Sequence, residues 1–397
     1  MAKRTAAPIP YSSGLKASVL PQRPSDWRCS PFPGLRAFTN HDAPIFFGRG
    51  HETDDLTNRI NRNRYVTVVG ASGSGKSSLV WAGLIPRLEA NGIKSDHTAS
   101  GDWLWPRLTP GGEGDNPFMA LAVKLEPYLS GQEAHEIAQK LEADPKALTQ
   151  LIPQILRGKP DSSELLLFID QLEELVTVVR AYDLAPFAEM LCQAVAGERF
   201  RAVATLSADF YHQMIPNSGA LVHLLQNGSY PLGAPDPVSL YEMIIRPAER
   251  AGLQFEGDLA RRILHDTGSD PGALALMAYL LDELYRRRTA DGRLTSQAYD
   301  DLGGVAGAIG KRVEQVFETL SADMQAVLPH VFRRLVEVDE RGTANLPHRQ
   351  RLFAGRGRCV IRHSMERSRM GPLAGRRYKM KSRAGSLPPH GGSPSGA

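Results

Sequence analysis

Residues 65–88 read Tyr65-Val-Thr-Val-Val-Gly-Ala-Ser-Gly-Ser-Gly-Lys-Ser-Ser-Leu-Val-Trp-Ala-Gly-Leu-Ile-Pro-Arg-Leu88, and this stretch decides the fold. Tyr65–Val69 is a nearly continuous, β-branched apolar run, the pattern of a strand buried on both faces. Ser77–Leu88 reads as a helix. Between them Gly70, Ala71, Ser72, Gly73, Ser74, Gly75, Lys76 and Ser77 fit G-x-x-x-x-G-K-[ST], a phosphate-binding loop. Its glycines let successive backbone N–H groups turn inward around a phosphate. Lys76 reaches the β- and γ-phosphates, and the Ser77 hydroxyl is placed to ligate Mg²⁺. The helix N-terminus, with Ser78 in its first turn, favours the same anion.

Such a loop needs a carboxylate at the end of a neighbouring buried strand to organise Mg²⁺. Leu165-Leu-Leu-Phe-Ile169 is such a strand, and Asp170 ends it. Gln171-Leu-Glu-Glu-Leu175 follows. Glu173 or Glu174 is the candidate to polarise an attacking water. On a helix the two sit about 100° apart, so one of them is expected to face the nucleotide.

At 397 residues the chain has room for two or three domains. Hydrophobic content of 42% and charged content of 23% are those of a globular protein. No apolar run approaches the ~18 residues of a membrane-spanning helix. The basic start Met1-Ala-Lys-Arg-Thr5 is followed by no apolar stretch, so no secretory signal is read. Three widely spaced cysteines, Cys29, Cys192 and Cys359, suggest neither a disulfide framework nor a zinc site, and a cytoplasmic location is expected. The net charge of +4 hides an asymmetry. Residues 341–397 hold 13 Lys and Arg against one acid, Glu366, a balance of +12, which leaves −8 for residues 1–340.

Along the chain, residues 1–30 read as a disordered, Pro/Ser-rich leader. Residues 31–235 read as an α/β nucleotide-binding core, with helices over 51–62 and 184–196 and a third strand over 202–206. Alternation of strands and helices argues for a parallel sheet flanked by helices. Residues 101–117, with Trp103 and Trp105, read as loop. Strand signals vanish after about Val238. Helices are expected over 238–250, 257–266, 272–287, 305–320 and 322–336, giving an all-α region divided into 236–290 and 291–340. The 341–397 tail lacks periodic apolar residues and reads as disordered; either it is the product of an out-of-frame reading or the chain is a truncated copy. Leu129-Ser-Gly-Gln132 superficially matches a transporter-ATPase signature but sits between helix patterns, so it reads as a helix–helix turn.

Several short segments, in order, carry a family likeness. They are Phe32-Pro-Gly-Leu-Arg-Ala-Phe38, Phe46-Phe-Gly-Arg49, the Gly70–Leu79 loop, Asp170–Leu175, Ala208-Asp-Phe-Tyr211, Arg246-Pro-Ala-Glu-Arg-Ala-Gly252 and Gly303-Gly-Val-Ala-Gly-Ala308. Over residues 31–338 the chain resembles the bacterial "novel STAND" signal-transduction ATPases, relatives of the NACHT and NB-ARC switches. The resemblance implies a P-loop NTPase core that holds ADP at rest, closed by a helical and a winged-helix-like region. Exchange for ATP would open it, allow self-association, and pass a signal between a sensor and an effector partner. It also implies that Phe47, Gly48 and Arg49 line the adenine and ribose. Thr205-Leu-Ser207 would lie at a γ-phosphate sensor, and Pro271 would set the helical region against the nucleotide. Ser207 stands where relatives carry an arginine, and Gly50 where they carry an acid.

The expected ligands are therefore ATP or ADP with Mg²⁺, and the expected chemistry is slow ATP hydrolysis. Two other readings compete. One is an AAA-like ATPase that binds nucleic acid through the basic tail. The other is a nucleotide-binding scaffold whose hydrolysis has decayed, prompted by Ser207. No membrane partner is expected.

Overall fold

The computed structural model describes residues 29–90, 92–93, 99–113, 115–216, 219–268, 272–335, 337–338 and 344–345. Pro271, the leader up to residue 28 and nearly all of the 341–397 tail lie outside the described residues.

Five strands form the central sheet: β1 (Tyr65–Gly70), β2 (Arg107–Leu108), β3 (Leu165–Ile169), β4 (Phe200–Ser207) and β5 (Ser229–Pro231). Their spatial order is β2-β3-β4-β1-β5 and every pairing is parallel. The register sets Gly70 beside Ser207 and Ile169 beside Ala204, so the carboxyl ends of β1, β3 and β4 share one edge. The pleat sends alternate side chains to opposite faces. Leu165, Leu167, Ile169, Ala202, Ala204 and Leu206 enter one core, and Val66, Val68, Leu166, Phe168 and Val203 enter another. Both faces are covered, which is why these strands are predominantly apolar.

Helix α1 (Gly50–Arg62) precedes β1 and buries Thr53, Leu56, Thr57 and Ile60, one stripe at helical spacing. After the Gly70–Gly75 loop come α2 (Lys76–Ser78), a π-helical stretch Leu79–Leu84 and α3 (Ile85–Glu89), packed with α1 on one face. Helices α4 (Pro117–Leu125), α5 (Ala134–Ala143) and α6 (Ala147–Ile155) lead to β3. Asn116 caps α4 by accepting from the backbone N–H groups of Phe118 and Met119. Residues 129–132 are a turn before α5, as expected. Helices α7 (Glu174–Thr177) and α8 (Ala181–Ala196) join β3 to β4; α9 (Tyr211–Met214) and α10 (Gly219–Gly228) join β4 to β5. The chain leaves β1 toward the β2 edge over one face and leaves β4 toward β5 over the other. In an open parallel sheet such a reversal opens a crevice at the carboxyl ends of the strands.

Beyond β5 the chain is mainly helical: α11 (Pro237–Arg250), α12 (Leu259–Thr267), α13 (Ala273–Arg286), α14 (Ser296–Leu302), α15 (Gly304–Glu318) and α16 (Ala322–Leu335). Ile244, Ile263, Met277, Leu280, Leu281, Leu284, Tyr299 and Val305 form its own core, into which Phe32 also reaches. The expectation that strands end after Val238 is corrected here. Two-residue strands β6 (Gln254–Phe255) and β7 (Arg293–Leu294) pair in parallel, and β8 (Glu337–Val338) and β9 (Ala344–Asn345) pair antiparallel. Strands this short carry no periodicity to read. Strand β2 falls within the expected 101–117 loop for the same reason.

Candidate functional site

The loop after β1 owes its shape to backbone freedom. Gly73 and Gly75 take φ of +77° and +90°, the left-handed region open to glycine. Lys76 turns its ammonium back over the loop and donates to the carbonyls of Gly70 (3.0 Å) and Ala71 (2.8 Å). Burial pushes its pKa down; Glu173, Asp209 and Asp170 oppose that shift. Ser78 lines the same cavity, and its hydroxyl accepts the backbone N–H of Phe38 at 3.1 Å, tying the Phe32–Phe38 segment to the loop helix.

Asp170 ends β3 almost wholly buried, and it is the hub of the site. Its Oδ1 accepts from the Ser77 hydroxyl at 2.6 Å and from the Thr205 hydroxyl at 2.7 Å. Its Oδ2 accepts from Nη2 of Arg107 at 2.5 Å. Ser77 and Asp170 together offer a hydroxyl and a carboxylate within hydrogen-bonding distance. That oxygen donor set fits Mg²⁺, which keeps several waters and takes one or two carboxylates plus substrate phosphates.

The two glutamates part company because the chain turns before α7 begins. Gln171 sits at φ +61°, with its N–H on Thr205 Oγ1 at 2.9 Å. Glu173 consequently faces the cavity, where its carboxylate accepts the Ser207 N–H at 3.2 Å. Burial raises its pKa, offset by that N–H and by Lys76. Glu174 is buried elsewhere and accepts the Gly111 N–H at 2.9 Å.

Lys76, Ser77, Asp170 and Glu173 line one cavity of about 410 Å³, within the size range of small-molecule sites. Ser72, Gly73, Gly75, Lys76, Ser77 and Ser78 form one wall, with Asp170, Glu173, Thr205 and Ser207 at the polar end. Phe32, Phe38, Phe46, Phe47, Met243, Leu274 and Met277 line the apolar remainder. Gly70, Ala71 and Ser74 shape the loop without lining the cavity, and Gly48 does not line it either. A Cβ on Gly48 would fall 2.4 Å from the Ser239 carbonyl oxygen and 2.7 Å from Met243 Cγ. Arg49 lines the wall while its guanidinium is committed to protein partners. It pairs with Glu52 and donates to the carbonyls of Ser74 (3.2 Å) and Gly233 (3.1 Å). Sequence reasoning missed Arg107 altogether. It lies on a two-residue strand that no pattern announces, and only the structure sets it beside Asp170.

Among solved structures, the chain is similar to the Aeropyrum pernix ORC1 protein in complex with DNA, at 16% identity, covering 74% of each chain with a TM-score of 0.47. It is also similar to Cdc6p of Pyrobaculum aerophilum, at 13% identity, covering 76% of this chain and 89% of that one, TM-score 0.44. A Walker-type ATPase of Pyrococcus abyssi is similar at 12% identity, covering 75% and 79%, TM-score 0.43. No curated protein matches the chain. Among the described residues no helix is long and apolar enough to cross a membrane. The family comparison reaches across most of the sequence: Novel STAND NTPase 1 matches residues 31–363, extending past residue 338, where the helical periodicity stops. The chain thus belongs to the novel STAND NTPase 1 family of P-loop NTPases.

Proposed function

We propose that this chain is a nucleotide-gated switch that binds ADP or ATP in the cavity between the Gly70–Ser77 loop and α13, and hydrolyses ATP slowly. One observation carries the reading. A cation on the loop, a buried carboxylate at a strand end and a second carboxylate with a raised pKa converge on one cavity. Its far wall comes from the helices beyond β5. Lys76 would hold the β- and γ-phosphates. Ser77 and Asp170 would hold Mg²⁺, which supplies positive charge to the phosphate oxygens when bound. Glu173, raised in pKa and hydrogen-bonded to the Ser207 N–H, is the residue to orient and deprotonate water. Phe47 and the apolar wall would take the base.

In this reading residues 31–235 act as the catalytic core, 236–290 as the helical closure and 291–340 as a partial winged-helix-like region. The γ-phosphate shifts the balance between closed and open states by binding one more tightly than the other. Opened molecules would then associate and engage a sensor or effector partner.

The test is chromatography of nucleotide released from denatured, freshly purified protein, with Lys76→Ala as control. About one ADP per wild-type chain and none in the variant supports a switch resting on ADP. No nucleotide in a folded wild-type chain, together with no binding on titration, sinks the proposal.

A further inference from the structure

Arg107 lines the cavity along with Lys76, Arg36 and Arg49, and the reading above gives it no task. Its strand is held to β3 by the pairings Arg107–Phe168 and Leu108–Ile169. The guanidinium lies 4.1 Å from the centroid of the Trp81 ring and 5.8 Å from that of Phe168. These distances are those of cation–π contact. Nη2 holds Asp170 Oδ2, while Nε is buried and meets no acceptor. Asp170 is 3% exposed against 35% for Arg107. A carboxylate buried so far needs a counter-charge. The two hydroxyls on its other oxygen are neutral; Arg107 is the cation in direct contact with the carboxylate, while Lys76 acts on it through space.

Resting on the nucleotide reading, we infer that Arg107 is a resident counter-cation for Asp170, letting the cavity accept the diphosphate of an ADP-like ligand without a divalent metal. The electrostatics follow directly. A bare Asp170 would repel an arriving polyphosphate unless metal came with it. With Arg107 in place that repulsion is already cancelled. Arginine suits the position because its charge is permanent and its flat face stacks on the indole. The loss of metal dependence matters for a switch that must retain a diphosphate at rest.

The experiment measures the Kd of a fluorescent ADP analogue for the full chain, in EDTA and in excess Mg²⁺, for wild type, Arg107→Gln and Arg107→Gln/Asp170→Asn. Arg107→Gln is expected to weaken binding about tenfold or more in EDTA and less than about threefold in Mg²⁺. Adding Asp170→Asn should restore most of the EDTA affinity, because the charge that needed cancelling is gone. Equal losses in EDTA and Mg²⁺ would make Arg107 a direct phosphate ligand and overturn the inference, as would no loss in EDTA. Should Arg107→Gln fail to fold, Arg107→Lys keeps the charge and should stay within about threefold of wild type in EDTA; a tenfold loss there overturns the idea. A wild-type chain that binds ADP in neither condition overturns the nucleotide reading itself.

Discussion

Glu173 and Glu174 are neighbours in sequence with opposite surroundings, and each makes its own prediction. Glu173 lines the cavity beside Lys76, whereas Glu174 holds the Gly111 N–H. Glu173→Gln should retain nucleotide and lose turnover by about a hundredfold or more, measured by phosphate release. Glu174→Gln should keep turnover within a few-fold. The pH dependence of stability has a defined sign at Glu173. Its folded pKa is raised, chiefly by burial, so its favourable contribution is present below the ordinary glutamate range. That contribution is lost as pH rises through the folded value. At neutral pH the ionised group is therefore a burden on the folded state. Glu173→Gln should have a higher Tm than wild type at pH 7, with the gain shrinking as pH falls toward about 4. A Tm difference that grows on acidification would contradict this assignment. Which glutamate enters the cavity could not be read from their spacing. The left-handed turn at Gln171 delays the helix to Glu174, so a continuous helical projection does not apply.

At the scale of elements, two junctions hold the loop and sheet in place. Gly48, at φ +74°, lets the turn before α1 touch the backbone of α11 at Ser239. Gly48→Ala must accept both left-handed strain and a clash with a carbonyl oxygen. A stability loss of about 2 kcal/mol or more is expected in urea unfolding. A change below ~0.5 kcal/mol would mean the two elements separate freely. Beneath the sheet, Glu164 at the start of β3 accepts from Arg201 of β4 at 2.8 Å, both side chains nearly buried. Arg201 also donates to the Ile60 carbonyl, near the end of α1. Removing the acid leaves a buried guanidinium short of its partner, so Glu164→Ala should cost about 3 kcal/mol. The apolar strands β1, β3 and β4 were legible because burial on both faces makes a strand continuously hydrophobic. Beyond β5, α11, α12, α13, α15 and α16 were legible to within a few residues, the first three because each buries one stripe; the seven-residue α14 was not. Strands β2 and β5 were not, being two and three residues long, with Pro231 ending the latter. With β2 went Arg107. The loop, Asp170 and the Glu173–Glu174 pair were legible as motifs; the loop's contacts with Phe38 and with Leu274 of α13 join residues 40 and about 200 positions apart and leave no local trace.

For the whole molecule, charge and cavity argue separate points. Residues 1–340 carry −8 against +12 for residues 341–397, so the competing nucleic-acid reading puts its contact in the basic segment. On that reading, DNA binding by the full chain should fall steeply with salt, and vanish when the Lys and Arg of that segment are replaced by Gln. Retention of DNA by the neutralised chain would place the contact in the body instead. The cavity makes a stronger demand, because its walls come from three distant parts of the sequence. Phe32–Phe38 leads into α1, Gly73–Ser78 follows β1, and Leu274, Met277 and Leu281 belong to α13. A ligand touching all three links their opening to its own release. Free ADP at a hundred times its Kd would stabilise the liganded state by about 2.7 kcal/mol. That stabilisation should appear as slowed amide hydrogen exchange in the Phe32–Phe38 segment and in α13, as well as in the loop. In Lys76→Ala, which loses the phosphate contact, ADP at the same concentration should slow none of them. Protection confined to the loop would mean that nucleotide binds without engaging the helices beyond β5. The cavity would then be a binding site but not the hinge of a switch.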